Sequence, residues 1–178
     1  MNLFVDTTNS YIILALFNDR LIAQTIVETN KNQSEIFFNV LDSFLVENNT
    51  AINNIENYYF AAGPGSFTGI RVGLSFAKAL LCSGKKNVFT ISSLDMLFDN
   101  YHNSKAIIDA RGDKYYLKEI NNGVFGPVKL VSCDEINNPD EYCSYANSCA
   151  QIPFNVVELV KLKKYSSTID SIYVKDAF

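Results

Sequence analysis

Ala62-Gly63-Pro64-Gly65-Ser66-Phe67-Thr68-Gly69-Ile70-Arg71-Val72-Gly73-Leu74-Ser75-Phe76-Ala77-Lys78 carries more of the fold than any other stretch of this 178-residue chain. Five of the eight glycines fall between Gly63 and Gly84. The apolar run Tyr58 to Ala62 in front of the glycines has strand character. Gly63-Pro64-Gly65-Ser66 supplies a bend tolerant of positive φ and a hydroxyl N-cap, so the segment reads as strand, tight turn and helix. Inside the helix Gly69, Gly73 and Ala77 recur at four-residue steps and form one smooth stripe. A helical glycine costs roughly 1 kcal/mol against alanine, which close packing along that stripe would have to return.

Three readings of the segment compete. A glycine loop opening a helix can cradle an anion. A Walker loop, however, needs a lysine in register, and a dinucleotide fingerprint needs glycine where Thr68 stands. The second reading is a tight turn followed by a core helix. The third is a helix built for a partner: from Phe67 to Ser83 the only charges are Arg71 and Lys78, and Val72, Phe76 and Leu80 share the helix with Ile70, Leu74 and Leu81. A helix with so little polar surface is covered nearly all round, here by a second chain.

Working outward, Leu3 to Asp6 is a short strand ending in Asp6-Thr7-Thr8. Tyr11 to Phe17 and Leu21 to Val27 form a hairpin about Asn18-Asp19-Arg20. Ile36, Phe37, Val40, Leu41, Phe44 and Leu45 recur at helical spacing, which predicts an amphipathic helix over 34–47 with Ser34 as its cap. A buried strand Val88 to Ile91 and a short helix from Ser93 to about Asn100 complete a β-β-β-α-β-α-β-α order. Beyond the polar 100–104 stretch, strands are predicted at 105–110, 114–120 and 124–131, with a positive-φ turn at Asn121-Asn122-Gly123. A helix is predicted over 155–164, with Lys161, Lys163 and Lys164 at its C-terminal end. The expected organisation is an N-terminal lobe over 1–101 and a smaller C-terminal lobe over 102–178. By analogy of winding, this α/β pattern suggests the two-lobed actin-like ATPase (ASKHA, ribonuclease H-like) architecture with a reduced second lobe.

Composition narrows the function. A formal net charge of −4 argues against a self-sufficient nucleic-acid binder, so any RNA role is expected to be shared with another protein. The N-terminal residues lack a leader pattern and the longest apolar run is too short to span a membrane, which predicts a soluble cytoplasmic chain. Cys82, Cys133, Cys143 and Cys149 form no Cys-x-x-Cys pair and His102 stands alone, so neither a metal nor a cofactor is expected. The abundant asparagines read as compositional bias.

Gly63-Pro64-Gly65-Ser66-Phe67-Thr68-Gly69-Ile70-Arg71-Val72-Gly73 resembles the signature of the TsaB (YeaZ) family, the glycoprotease-like subunit of the bacterial machinery that makes threonylcarbamoyladenosine in tRNA. Leu3-Phe4-Val5-Asp6-Thr7-Thr8 is similar to the family's opening strand and turn, and Ser92-Ser93-Leu94 to its Ser-Ser-Leu. Asp109-Ala110-Arg111 with Tyr115-Tyr116 is similar to its Asp-Ala-Arg stretch. Ile172-Tyr173-Val174-Lys175-Asp176, with Ser171 in place of a proline, resembles its closing motif. Gln33-Ser34-Glu35 departs from the family's His-Ser-Glu, and the second lobe is short and poor in glycine.

The resemblance implies a non-catalytic scaffold that pairs with the catalytic sister TsaD. With the ATPase TsaE, the complex would transfer threonylcarbamoyl from its adenylate to the adenosine beside the anticodon. The sister's metal motif, His-x-x-x-His, cannot be formed with one histidine. A homodimer is expected when the partner is missing, and tRNA contact only through the complex. The expected partner interface is the stripe Gly69, Gly73 and Ala77 with the face of the first helix around Phe37, Leu41 and Phe44. Gly63, Pro64, Gly65 and Ser66 are expected as a structural turn, and Asp6, Thr7 and Thr8 as a vestigial phosphate turn. The enzyme alternative is an actin-like ATPase or phosphotransferase in which Asp6-Thr7-Thr8 cradles a phosphate. Against it, the same side chains can simply close a strand through side-chain-to-backbone bonds. A protease would need a Ser/His/Asp or Cys/His set, and none is recognisable.

Overall fold

The computed structural model describes residues 1–30, 32–84 and 86–171. The closing motif Ile172-Tyr173-Val174-Lys175-Asp176 therefore lies outside the described residues. Strands β1 (Asn2–Asp6), β2 (Tyr11–Phe17) and β3 (Leu21–Glu28) form an antiparallel meander. Strands β4 (Asn57–Ala61) and β5 (Asn87–Ile91) then add in parallel beside β1, giving the order β3-β2-β1-β4-β5. Helices α1 (Gln33–Glu47) and α2 (Phe67–Cys82) make the crossovers that parallel strands require.

Continuous apolar runs in β1, β2 and β4 follow from burial on both faces of this sheet. Leu3, Val5, Ile12, Leu14, Leu16, Tyr58 and Phe60 face α1 and α2. Their alternating neighbours Phe4, Ile13, Ala15, Phe17, Tyr59 and Ala61 face the opposite way, into a core shared with the second half of the chain. There β6 (Ser104–Asp109) pairs with β7 (Lys114–Asn121), which also carries β8 (Val124–Phe125) and β9 (Lys129–Ser132). After the short helix α3 (Tyr145–Ser148), helix α4 (Ile152–Lys161) brings Ile152, Val156, Val157 and Leu159 to that second core.

Several local expectations are corrected. No α-helix forms over 93–100. Leu94, Met96, Leu97 and Phe98 are all fully buried, which a one-sided helix cannot achieve with near-consecutive residues, and the chain makes only a 3-10 turn at Asp95–Leu97. The strand expected over 124–131 breaks at Gly126-Pro127, where proline has no N–H to give the ladder. Helix α1 starts one residue early, with Asn32 rather than Ser34 at the N-cap and no capping side-chain bond. Helix α4 starts at Ile152, with Pro153 in its first turn, where a missing N–H costs nothing. Lys163 lies beyond the helix at φ 55°. The Asn122-Gly123 turn does take positive φ at both residues, 50° and 76°.

Candidate partner face and the closed turn

The parallel strands end at one edge of the sheet, the usual place for a ligand in an open α/β fold. Three of the segments singled out in the sequence converge there: the Asp6-Thr7-Thr8 turn after β1, the Gly63-Pro64-Gly65-Ser66 turn after β4, and Ser92-Ser93 after β5. Ser66 donates its N–H to the Thr8 carbonyl at 2.6 Å, and Ser93 donates to the Gly63 carbonyl at 2.8 Å. Ser66 also caps α2, its hydroxyl accepting from the Gly69 N–H at 3.3 Å. Gly63 sits at φ 97°, a conformation that favours glycine. A Cβ on Gly65 would lie 2.3 Å from the Thr8 carbonyl oxygen. The structural turn is therefore required both by conformation and by close approach.

Asp6 is fully buried. Its carboxylate accepts from the Thr8 N–H and Thr8 hydroxyl, both at 2.7 Å, and from the Asn9 side-chain amide at 3.0 Å. A fourth donor comes from the far half of the chain, the Tyr145 hydroxyl at 2.8 Å. The Thr8 hydroxyl also lies 3.1 Å from both the Ser93 and the Tyr145 hydroxyls. Burial raises the Asp6 pKa above its ordinary value; the four donors pull it back only in part. Burial and the facing carboxylate both push the Tyr145 phenol well above its ordinary value. Thr7 is turned away from this cluster and donates its hydroxyl to the Gly69 carbonyl at 2.7 Å. The turn that could have held a phosphate is thus packed with the protein's own groups. Among the described residues no group of three or more His, Cys, Asp or Glu side chains is placed to hold a metal ion.

The expected interface is corrected. Gly69, Gly73 and Ala77 point into the chain's own core. A Cβ on Gly69 would meet the Thr7 carbonyl oxygen at 1.8 Å, and one on Gly73 would meet Thr7 Oγ1 at 3.0 Å and Phe60 at 3.8 Å. The close approach that the stripe permits is to the β1 turn, not to a second subunit. Phe37, Leu41 and Phe44 are likewise buried, at 0%, 2% and 3% exposure, in the core between α1, α2 and the sheet.

The opposite side of α2 is the open one. Phe67, Arg71, Ser75 and Ala79 follow one another at four-residue steps and are all exposed. With Ser34 and Phe38 of α1 they line a groove of about 450 Å³. Phe38 is 57% exposed and Phe67 53%. The Arg71 guanidinium lies 3.9 Å from the centroid of the Phe67 ring, a cation–π contact at the groove wall. Phe38 stands edge-on to Phe76, centroids 5.8 Å apart. The sequence held only a weak signal for this face: Phe37 and Phe38 are adjacent on α1, but so are Phe44 and Leu45, and those two are both buried. Tyr145, by contrast, gave no sequence signal, because it lies 139 residues from the carboxylate it contacts.

The doubly covered mixed sheet, with its ligand edge at the ends of β1, β4 and β5, is a mixed α/β fold of the actin-like ATPase class. Solved structures agree: YeaZ from Pseudomonas aeruginosa superposes with a TM-score of 0.75 at 15% identity, over 97% of this chain and 99% of that one. The family model described as TsaD, tRNA N6-adenosine threonylcarbamoyltransferase, matches residues 23–125. The tRNA threonylcarbamoyladenosine biosynthesis protein TsaB of Bacillus subtilis is 32% identical over 133 residues, covering 71% of this chain and 58% of that protein. The TsaB protein of Haemophilus influenzae is 31% identical over 87 residues, 46% of this chain and 37% of that protein. The chain belongs to the TsaD-type threonylcarbamoyltransferase family, in its TsaB (YeaZ) branch. The matched stretch spans little more than half the length of the Bacillus relative, and less of the Haemophilus one. Among the described residues, no helix is long and apolar enough to cross a membrane.

Proposed function

We propose that this chain is a non-catalytic subunit in the making of threonylcarbamoyladenosine in tRNA, and that it docks a TsaD-like catalytic subunit on the outer faces of α1 and α2. The observation that carries the reading is the groove wall of Phe38, Phe67, Arg71, Ser75 and Ala79. Two half-exposed phenylalanines beside small residues and one arginine offer apolar anchors with a charged rim, as partner surfaces do. The filled turn at Asp6 supports the non-catalytic part, since its carboxylate and hydroxyls already bond one another and Tyr145. The net charge of −4 favours tRNA contact through the complex, in which a TsaE-like ATPase would also take part. The same groove would serve a homodimer when the partner is missing.

The test is a mixing experiment with the TsaD-like protein of the same cell. Wild type is expected to give a heterodimer by mass and to support tRNA modification. Phe38→Asp with Ser75→Arg replaces exposed side chains, so the fold should hold while the dissociation constant rises about 100-fold or more. Normal pairing by that variant would place the interface elsewhere. Turnover of ATP by the isolated chain, abolished by Asp6→Ala, would overturn the non-catalytic reading.

A further inference from the structure

Residues 133–148 link β9 to the last turns before α4 and form an unusual piece of the molecule. They hold two 3-10 turns, Cys133–Glu135 and Pro139–Glu141, and the short helix α3 (Tyr145–Ser148). Ile136 is the one residue among them that is buried. Most of their hydrogen bonds are local: Ser148 to the Ser144 carbonyl, Ser144 to the Asn147 side chain, and Asn147 to the Tyr142 carbonyl. Near its C-terminal end the segment is tied down at two places. Cys143 makes an isolated bridge to β6, donating to the Lys105 carbonyl and accepting from the Ile107 N–H, each at 2.9 Å. Two residues on, the Tyr145 hydroxyl reaches Asp6. A segment with one buried residue, mostly local hydrogen bonds and only Cys143 and Tyr145 packed on the second core has a low free energy of local opening, and those ties set that energy.

We infer that residues 133–148 are a strap latched by the Tyr145 hydroxyl onto the Asp6-Thr8 turn, and that the strap opens without unfolding the sheets and so uncovers the turn. Tyr145 stays partly exposed where its ring packs against the second core, and its hydroxyl bonds a carboxylate that Thr8 and Asn9 already hold in place. Releasing the phenol therefore costs Asp6 one of four donors and leaves the turn intact. What it exposes is a compact polar surface of one carboxylate and the Thr8 and Ser93 hydroxyls at the ligand edge of the sheet. The strap, rather than the turn, then governs whether anything in solution meets Asp6. This inference does not depend on the partner reading and needs no second protein to test.

Native-state hydrogen exchange on the full chain decides it, comparing wild type with Tyr145→Phe, which keeps the ring. In wild type the amides of Cys143 and Ser148, and that of Ile107 which bonds to Cys143, are expected to exchange at least about tenfold faster than Ala62 and Ile70 in the sheet and α2. Tyr145→Phe is expected to speed the strap amides and the Thr8 amide a further tenfold or so, the loss of a hydrogen bond to a charged group, with Ala62 and Ile70 unchanged. Equal wild-type rates for strap and sheet would overturn the inference. So would a Tyr145→Phe effect that is nil at the strap or uniform over the chain. Should Tyr145→Phe not fold, the wild-type comparison alone decides.

Discussion

Gly69→Ala tests the packing of α2 on the β1 turn with a single methyl group. Two effects oppose each other. Alanine improves an interior helical position by roughly 1 kcal/mol. Against this, the new Cβ would sit 1.8 Å from the Thr7 carbonyl oxygen and 2.9 Å from its carbon, where contact normally begins above about 3 Å. The obstacle is backbone, one residue past the β1 ladder, so it cannot rotate away as a side chain could. The helix must retreat by more than an ångström at its first turn. That retreat strains the Thr7 hydroxyl bond to the Gly69 carbonyl, 2.7 Å, and the Ser66 N–H bond to the Thr8 carbonyl, 2.6 Å. Overpacking costs about 1–3 kcal/mol and each buried hydrogen bond about 1 kcal/mol, so the net loss is about 2–4 kcal/mol. Urea unfolding should show the midpoint falling at unchanged slope, and the thermal midpoint should drop by about 5–15 °C for a domain of this size. Gly73→Ala is the control: its Cβ meets a single side-chain oxygen, Thr7 Oγ1 at 3.0 Å, and Phe60 at 3.8 Å, with no backbone in the way, so it should stay within about 1 kcal/mol of wild type. A Gly69→Ala protein as stable as wild type would refute the reasoning.

Three further outcomes are expected. Gly73→Arg should leave the chain unfolded by circular dichroism, not folded and merely unable to pair, because its side chain enters the core beside Phe60; a folded variant would place that side chain outside the core. Because burial raises the Asp6 pKa, ionised Asp6 weakens the fold relative to protonated Asp6. Its stabilising share is complete below the ordinary value of 3.8 and lost as pH rises through the folded value, so wild type should lose ground against Asp6→Asn over that rise in denaturation curves; a constant difference would contradict the shift. The Cys149 thiol is pushed up to about 11 by burial and then by the Asp6 charge, which leaves about one thousandth as thiolate at pH 8. Iodoacetamide followed by peptide mass mapping should therefore label exposed Cys82 at least about tenfold faster than Cys149.

Much of the fold was legible because its signals are local. The doubly buried strands announce themselves as unbroken apolar runs, the hairpin as Asn18-Asp19-Arg20, and α1 as a 3.6-residue period. The strand, turn and helix around Gly63 to Lys78 read correctly for the same reason. What the sequence concealed was orientation. A helix with few charges looks covered on every side, and both the small-residue stripe and the face opposite it can be packing surfaces. The structure assigns the small one inward because only glycine leaves room for the Thr7 carbonyl, a constraint set by a strand end 62 residues earlier.

The same argument separates the two halves of the site. Residues that must come close to backbone are small and leave a pattern in sequence, which is why Gly65 and Gly69 stand out. Residues exposed on the completed fold leave a weaker pattern, legible only once the inward face is known. When Gly69, Gly73 and Ala77 are placed inward, Phe67, Arg71, Ser75 and Ala79 lie about 200° round the helix and face outward. The partner face is thus the complement of the core face, and an error in one necessarily exchanges the two. Substitutions on the two stripes should accordingly separate: Gly69→Ala should act on unfolding with or without a partner, and Ser75→Arg on association while the monomer keeps its midpoint. If both changes alter only stability, or both only association, the two stripes are not opposite faces and the orientation of α2 is wrong.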